Sequence, residues 1–274
     1  MKIHFYGTGS SEGFPSMFCS CDACCQARAL KGKNIRTRSS CGIDDVILVD
    51  FPADTYAHSL WGGLDLTRVQ TILFTHPHLD HLYAGDLVNT ATPMALRSQQ
   101  EDIRIYGPKE VIEAVQDVVE MEKRGRMPVQ PEVLAPGQTV EAGEYRITAV
   151  PTLHDRAVDC YLYVIEHEGK TLLYGNDSAF FPEETWEMLS RYHYDCVILD
   201  CTSVTESHVF ATHMGFEEVK AVKQRLLQSG CADENTIFTV THFVHTFAPL
   251  HERITPIFAK EGMIAAYDGL EIEF

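Results

Sequence analysis

Residues 75–81 read THPHLDH, so His76, His78, Asp80 and His81 place four potential metal donors within six positions. Neutral imidazole nitrogens and carboxylate oxygens are the donors that divalent ions accept. His76 and His78 can serve one ion, while Asp80 and His81 can reach a neighbouring one. A lone histidine is usually a packing residue. Donors this dense are harder to explain that way, because buried ionisable groups are costly unless they are paired or bound to a metal. Three more donors follow apolar runs: His154 closes AVPTLH, Asp177 closes LLYGND and His242 closes IFTVTH. In open α/β sheets, ligand-bearing residues collect beyond the carboxyl ends of strands, so these three can converge on the rim of His76. Taken singly, each reads equally well as a loop residue or a helix cap.

A second cluster, FCSCDACCQAR at residues 18–28, carries Cys19, Cys21, Cys24 and Cys25. The Cys-x-Cys-x-x-Cys spacing supplies three thiolates where a structural tetrahedral zinc wants four ligands. The chain has nine cysteines, an odd number, and its start, MKIHFYGTGSSEG, has no apolar leader segment. Reduced thiols and metal ligands in a cytoplasmic protein are therefore expected, rather than a disulfide framework. No run approaches the roughly 18 apolar residues of a membrane-spanning helix. The formal net charge of −17 works against general attraction to nucleic acid. A small anionic substrate is compatible with that charge if metal ions sit where it binds.

The elements that must position these donors are legible in outline. KIHFYG (2–7), VILVDF (46–51) and TILFT (71–75) read as strands, and DIRIYG leads through Pro108 into the helix PKEVIEAVQDVVEMEKR. RGRMPVQPEVLAPGQ reads as a loop. EYRITAVPTLH, CYLYVIEHEGKTLLYGND with its hairpin at HEGK, DCVILD and NTIFTVTH read as strands. GFEEVKAVKQRLLQSG and APLHERITPIFAKEG read as helices, before a final strand. With 274 residues, 45% of them hydrophobic, and no repeat or linker, one α/β domain spanning residues 1–274 is expected.

In chain order, His76, His78, Asp80, His81, His154, Asp177 and His242 reproduce the ligand set of the metallo-β-lactamase-fold hydrolases, which the chain resembles along nearly its whole length. The resemblance implies a four-layer αββα sandwich with two divalent ions, Mn or Zn, between the sheet edges. His76, His78 and His154 would hold one ion, Asp80, His81 and His242 the other, and Asp177 would bridge them. Asp50 would orient a ligand histidine, although it also reads as a helix cap for ADTYAHSL.

Within that fold, YGTGSSEGFPSMFCSCDACCQAR together with THFVH is similar to the phosphoribosyl 1,2-cyclic phosphate phosphodiesterase (PhnP) group of the carbon–phosphorus lyase pathway. That resemblance implies a structural zinc on Cys19, Cys21, Cys24 and His245, a homodimer, and a catalytic histidine near the start of the helix after DCVILD. His208 and His213 are both available for that role, and the placement matches His213. Cys25 is left over and reads as a small buried hydrophobe. GTGSSEG lacks the lysine of a phosphate-binding P-loop and reads as a tight turn near the metal rim.

The expected activity is hydrolysis of a small cyclic phosphodiester by a metal-bridging hydroxide. Ions roughly 3.5 to 4 Å apart can lower the pKa of a bridging water towards about 7, and His213 would protonate the departing oxygen. The alternatives are a tRNA-processing nuclease of the same fold, for which only the short RGRM cluster offers a basic arm, a PQQ-biosynthesis-type protein, and a non-enzymatic metal-binding module.

Overall fold

The computed structural model describes residues 1–96, 101–206 and 209–274. Its strands in chain order are β1 (Lys2–Gly7), β2 (Ser40–Ile43), β3 (Ile47–Val49), β4 (Thr71–Leu73), β5 (Ile103–Gly107), β6 (Val129–Val133), β7 (Thr139–Ala142), β8 (Tyr145–Pro151), β9 (Tyr161–His167), β10 (Lys170–Gly175), β11 (Cys196–Asp200), β12 (Ile237–Thr241), β13 (Ile264–Ala265) and β14 (Glu271–Glu273). The helices are α1 (Asp22–Leu30), α2 (Thr55–Trp61), α3 (Lys109–Met121), α4 (Glu183–Leu189), α5 (Phe216–Gln228) and α6 (His251–Lys260). None of them is long and apolar enough to cross a membrane.

The strands form two seven-stranded mixed sheets, ordered β14-β1-β2-β3-β4-β5-β6 and β13-β12-β11-β10-β9-β8-β7. Alternation along single strands shows why they stack. In β9, Tyr161, Tyr163 and Ile165 point into the core between the sheets, where they meet Phe5, Val49 and Leu73, while Leu162 and Val164 face a second core shared with α4, α5 and α6. β11 divides in the same way, with Cys196 and Ile198 inward and Val197 and Leu199 outward. A third core lies between the first sheet and α3. Strands buried on both faces read as continuous apolar runs, and helices must cover their outer sides. The result is the expected αββα sandwich.

The structure departs from the sequence reading in several places. β6 lies inside the stretch read as a loop. Pro131 argues against a strand, but β6 is an edge strand, where a missing N–H costs little. α1 begins inside the cysteine run, with Cys21 as its N-cap and Cys24 and Cys25 within the helix. Asp50 caps no helix: Asp54 stands at the N-cap of α2, and Asp50 is fully buried with a φ of 63°.

Candidate metal centre

The donors of the expected two-ion set, with Asp50 and Asp200, sit where a strand stops and the chain turns. Asp50 follows β3, and His76 to His81 follow β4. His154 follows β8, Asp177 follows β10, Asp200 ends β11 and His242 follows β12. Asp50, Asp177 and His242 all have left-handed backbone, with φ of 63°, 50° and 64°. A non-glycine residue pays on the order of 1 kcal/mol for that conformation, and such outliers gather at functional sites.

The donor atoms fall into two adjoining groups, His76, His78 and His154 in one and Asp80, His81, Asp177 and His242 in the other, each within 4.8 Å. Asp177 lies between them. Its Oδ2 is 2.5 Å from His81 Nε2 and 3.5 Å from His76 Nε2, and its Oδ1 is 2.9 Å from His242 Nε2. Despite this closeness, His76 Nε2, His81 Nε2, His242 Nε2 and Asp177 Oδ1 are buried without a hydrogen-bond partner.

The opposite ring nitrogens are all engaged, which fixes the tautomers. The Thr75 hydroxyl donates to Asp50 at 3.0 Å and so accepts from His76 Nδ1 at 2.9 Å. His81 Nδ1 donates to Asp50 Oδ2 at 2.7 Å. The Thr202 hydroxyl donates to Asp200 Oδ1 at 2.7 Å and so accepts from His242 Nδ1 at 2.9 Å. His154 Nδ1 donates to Thr212 O at 3.2 Å, and His78 Nε2 to Asp155 Oδ2 at 3.1 Å. The nitrogens left to face a cation, whether a proton or a metal ion, are therefore Nε2 of His76, His81, His154 and His242 and Nδ1 of His78. His78 Nδ1 and His154 Nε2 face each other at 3.1 Å. Two acceptors so placed repel unless a positive charge lies between them, and outer partners of this kind are what orient metal-bound histidines.

The electrostatics agree. Burial keeps His76 and His154 below the usual imidazole range, and therefore neutral. For His81 and His242 burial works in the same direction, but the neighbouring carboxylates outweigh it and hold both above that range. The set calls for cations, and imidazole with carboxylate suits divalent ions.

His213, the histidine expected near α5, lies beside this cluster. Its Nδ1 is 2.8 Å from Asp200 Oδ2 and 3.1 Å from Thr202 Oγ1. It lines a cavity of about 560 Å³ together with Asp80, His154, Asp177, His242, Arg156 and Phe210, among others. His208, the other histidine available for that role, lies outside the described residues.

The cysteine cluster also closes on itself. Donor atoms of Cys19, Cys21, Cys24 and His245 lie within 4.8 Å of one another, although His245 is more than 200 positions away along the chain. The Cys24 N–H donates to the Cys21 sulfur at 3.5 Å and holds that thiol below its ordinary value. Burial pushes the Cys24 thiol up to about 12. Three thiols and an imidazole fit a tetrahedral zinc, for which the thiols must ionise. Cys25 lies outside the group and is exposed, not buried as expected. All nine cysteines are free.

Asp200, Thr75, Thr202, Asp155 and Thr212 went unnoticed in the sequence. A signal for Asp200 was present, since DCVILD ends in aspartate just as VILVD does.

Comparison with known proteins supports the same architecture. The chain is 29% identical over 104 residues, 38% of its length, to ribonuclease BN of Cronobacter sakazakii, and the match spans only 33% of that relative. Among solved structures, a diphosphatase from the PhnP family superposes with a TM-score of 0.78 at 22% identity, covering 100% of this chain and 97% of the other. Zinc-bound PqqB from Methylobacterium extorquens gives 0.69 at 16% identity, covering 100% of both chains. The family model described as beta-lactamase superfamily domain matches residues 46–229. That is more than half of the chain and includes both sheets' central strands, so the chain belongs to the beta-lactamase superfamily domain family and has the metallo-β-lactamase fold.

Proposed function

We propose that the protein is a phosphodiesterase that hydrolyses a small cyclic phosphodiester of the phosphoribosyl 1,2-cyclic phosphate type. His76, His78 and His154 would hold one divalent ion and Asp80, His81 and His242 a second, with Asp177 between them. Two such ions supply an activated water near neutral pH and neutralise charge on the phosphoryl oxygens.

The chain's own contribution to the chemistry is centred on His213. Cleavage of a phosphodiester leaves an alkoxide that must be protonated. An imidazole at hydrogen-bond distance can supply that proton. Asp200, fully buried, fixes the proton on His213 Nδ1 and leaves Nε2 to serve the leaving group. The Asp200–His213 pair is the observation that carries this reading, because it sets an oriented imidazole on the cavity wall beside the metal donors. Arg156 is the one Lys or Arg among the described residues lining that cavity, which suits a small anion better than a long polyanion.

The test is hydrolysis of bis(p-nitrophenyl) phosphate with added Mn²⁺, and of a ribosyl cyclic phosphate to its monoester. Both are expected from the parent protein, and an Asp80→Ala, His81→Ala double variant is expected to lose them. Full activity in that variant would sink the two-ion reading. The likeness to ribonuclease BN supports a second reading as a tRNA-processing nuclease. Cleavage of precursor tRNA without turnover of cyclic diesters would select it.

A further inference from the structure

The loop GTGSSEG reads from sequence as a tight turn near the metal rim. Glu12, its last side chain, does more than fill a turn. Its Oε1 lies 2.8 Å from His245 Nδ1 and 3.4 Å from the His245 backbone N–H, and its Oε2 accepts from Ser10 Oγ at 3.0 Å. With Nδ1 donating to this carboxylate, Nε2 is the lone pair His245 has left to offer Cys19, Cys21 and Cys24. Glu12 and Ser10 also line the catalytic cavity. Backbone bonds strap the same loop to the chain beyond His242: Ser10 N–H donates to Phe243 O at 3.3 Å and Phe243 N–H to Thr8 O at 3.0 Å.

A carboxylate on the outer nitrogen of a metal-bound histidine fixes its tautomer, orients the ring and raises its basicity. We propose that Glu12 is a positioning residue that sets His245 for a zinc on the cysteine cluster and, through Ser10, ties that cluster to the wall of the catalytic cavity. The proposal rests on reading Cys19, Cys21, Cys24 and His245 as a cation site.

The experiment is competition for zinc between a chromogenic chelator and the full-length protein, comparing the parent with Glu12→Gln and Glu12→Ala. Glutamine keeps the size and one acceptor oxygen but removes the charge. Zinc affinity is expected to fall about tenfold in Glu12→Gln and towards 100-fold in Glu12→Ala, with the circular dichroism of both unchanged. A role confined to packing or spacing would leave Glu12→Gln at the parent value, and that result overturns the proposal. A Cys21→Ser, Cys24→Ser variant distinguishes the other failure: if it holds the chelation-resistant zinc as the parent does, the cysteine site itself is wrong.

Discussion

Each histidine of the centre has one nitrogen fixed by an acceptor and the other left free, and this division of labour accounts for the site's chemistry residue by residue. Thr75 and Asp50 set His76 and His81, while Thr202 and Asp200 set His242 and His213. His213→Ala is expected to keep its ions but lose 10²- to 10⁴-fold in kcat on alkoxide leaving groups, and far less on p-nitrophenolate, which needs no proton. Metal analysis alongside rates on both substrate types checks this, and equal losses on the two would reassign the acid. The donors themselves were legible because THPHLDH is dense and because His154, Asp177 and His242 close apolar runs. Their outer partners were not, since a threonine beside a histidine or an aspartate at a strand end carries no periodic signal. Glu12 escaped for the same reason: its contact with His245 spans 233 positions.

At the scale of elements, the first loop depends on a glycine that only a close approach explains. A Cβ on Gly7 would lie 1.9 Å from Arg38 O and 2.8 Å from Arg38 C, both backbone atoms that cannot turn aside. Gly7→Ala is expected to destabilise the fold by about 3 kcal/mol, the upper range for overpacking. A lower urea midpoint at unchanged slope would show it, and an unchanged midpoint would mean that the β1 to β2 junction yields more easily than its geometry implies. Most strands were readable because their cores demand apolar runs on both faces. Two of the exceptions are informative: β6 carries Pro131 and lies at an edge, and β2 is only Ser40–Ile43, too short and mixed to show a period.

At the scale of the whole molecule, part-buried polar groups tie the chain before β14 to the amino-terminal loop. Asp268, just before β14, accepts from Thr8 Oγ1, Thr37 Oγ1 and Thr37 N–H, each at 2.7 Å. Desolvation nevertheless pushes its carboxyl up to about 6. The unfolded chain gives up this proton near pH 4, while the folded chain keeps it until about pH 6. The contribution to stability is therefore full below pH 4 and declines as pH rises through 6. Relative to Asp268→Asn, the parent is expected to lose about 2 kcal/mol between pH 4 and 7, less than the whole shift implies because the residue keeps some contact with water. Unfolding midpoints of both proteins across that range measure it, and a difference that does not change with pH contradicts it.

In the two-sheet sandwich each sheet contributes strand ends to one rim, and the amino-terminal loop closes beside it. We propose that this rim holds two divalent ions and the cysteine cluster a third. Metal content per chain, measured before and after mild chelation, tests it most directly. Three ions, of which one resists removal and is lost in Cys21→Ser, Cys24→Ser, is the predicted result; a single ion per chain, removed in one step, would contradict the account.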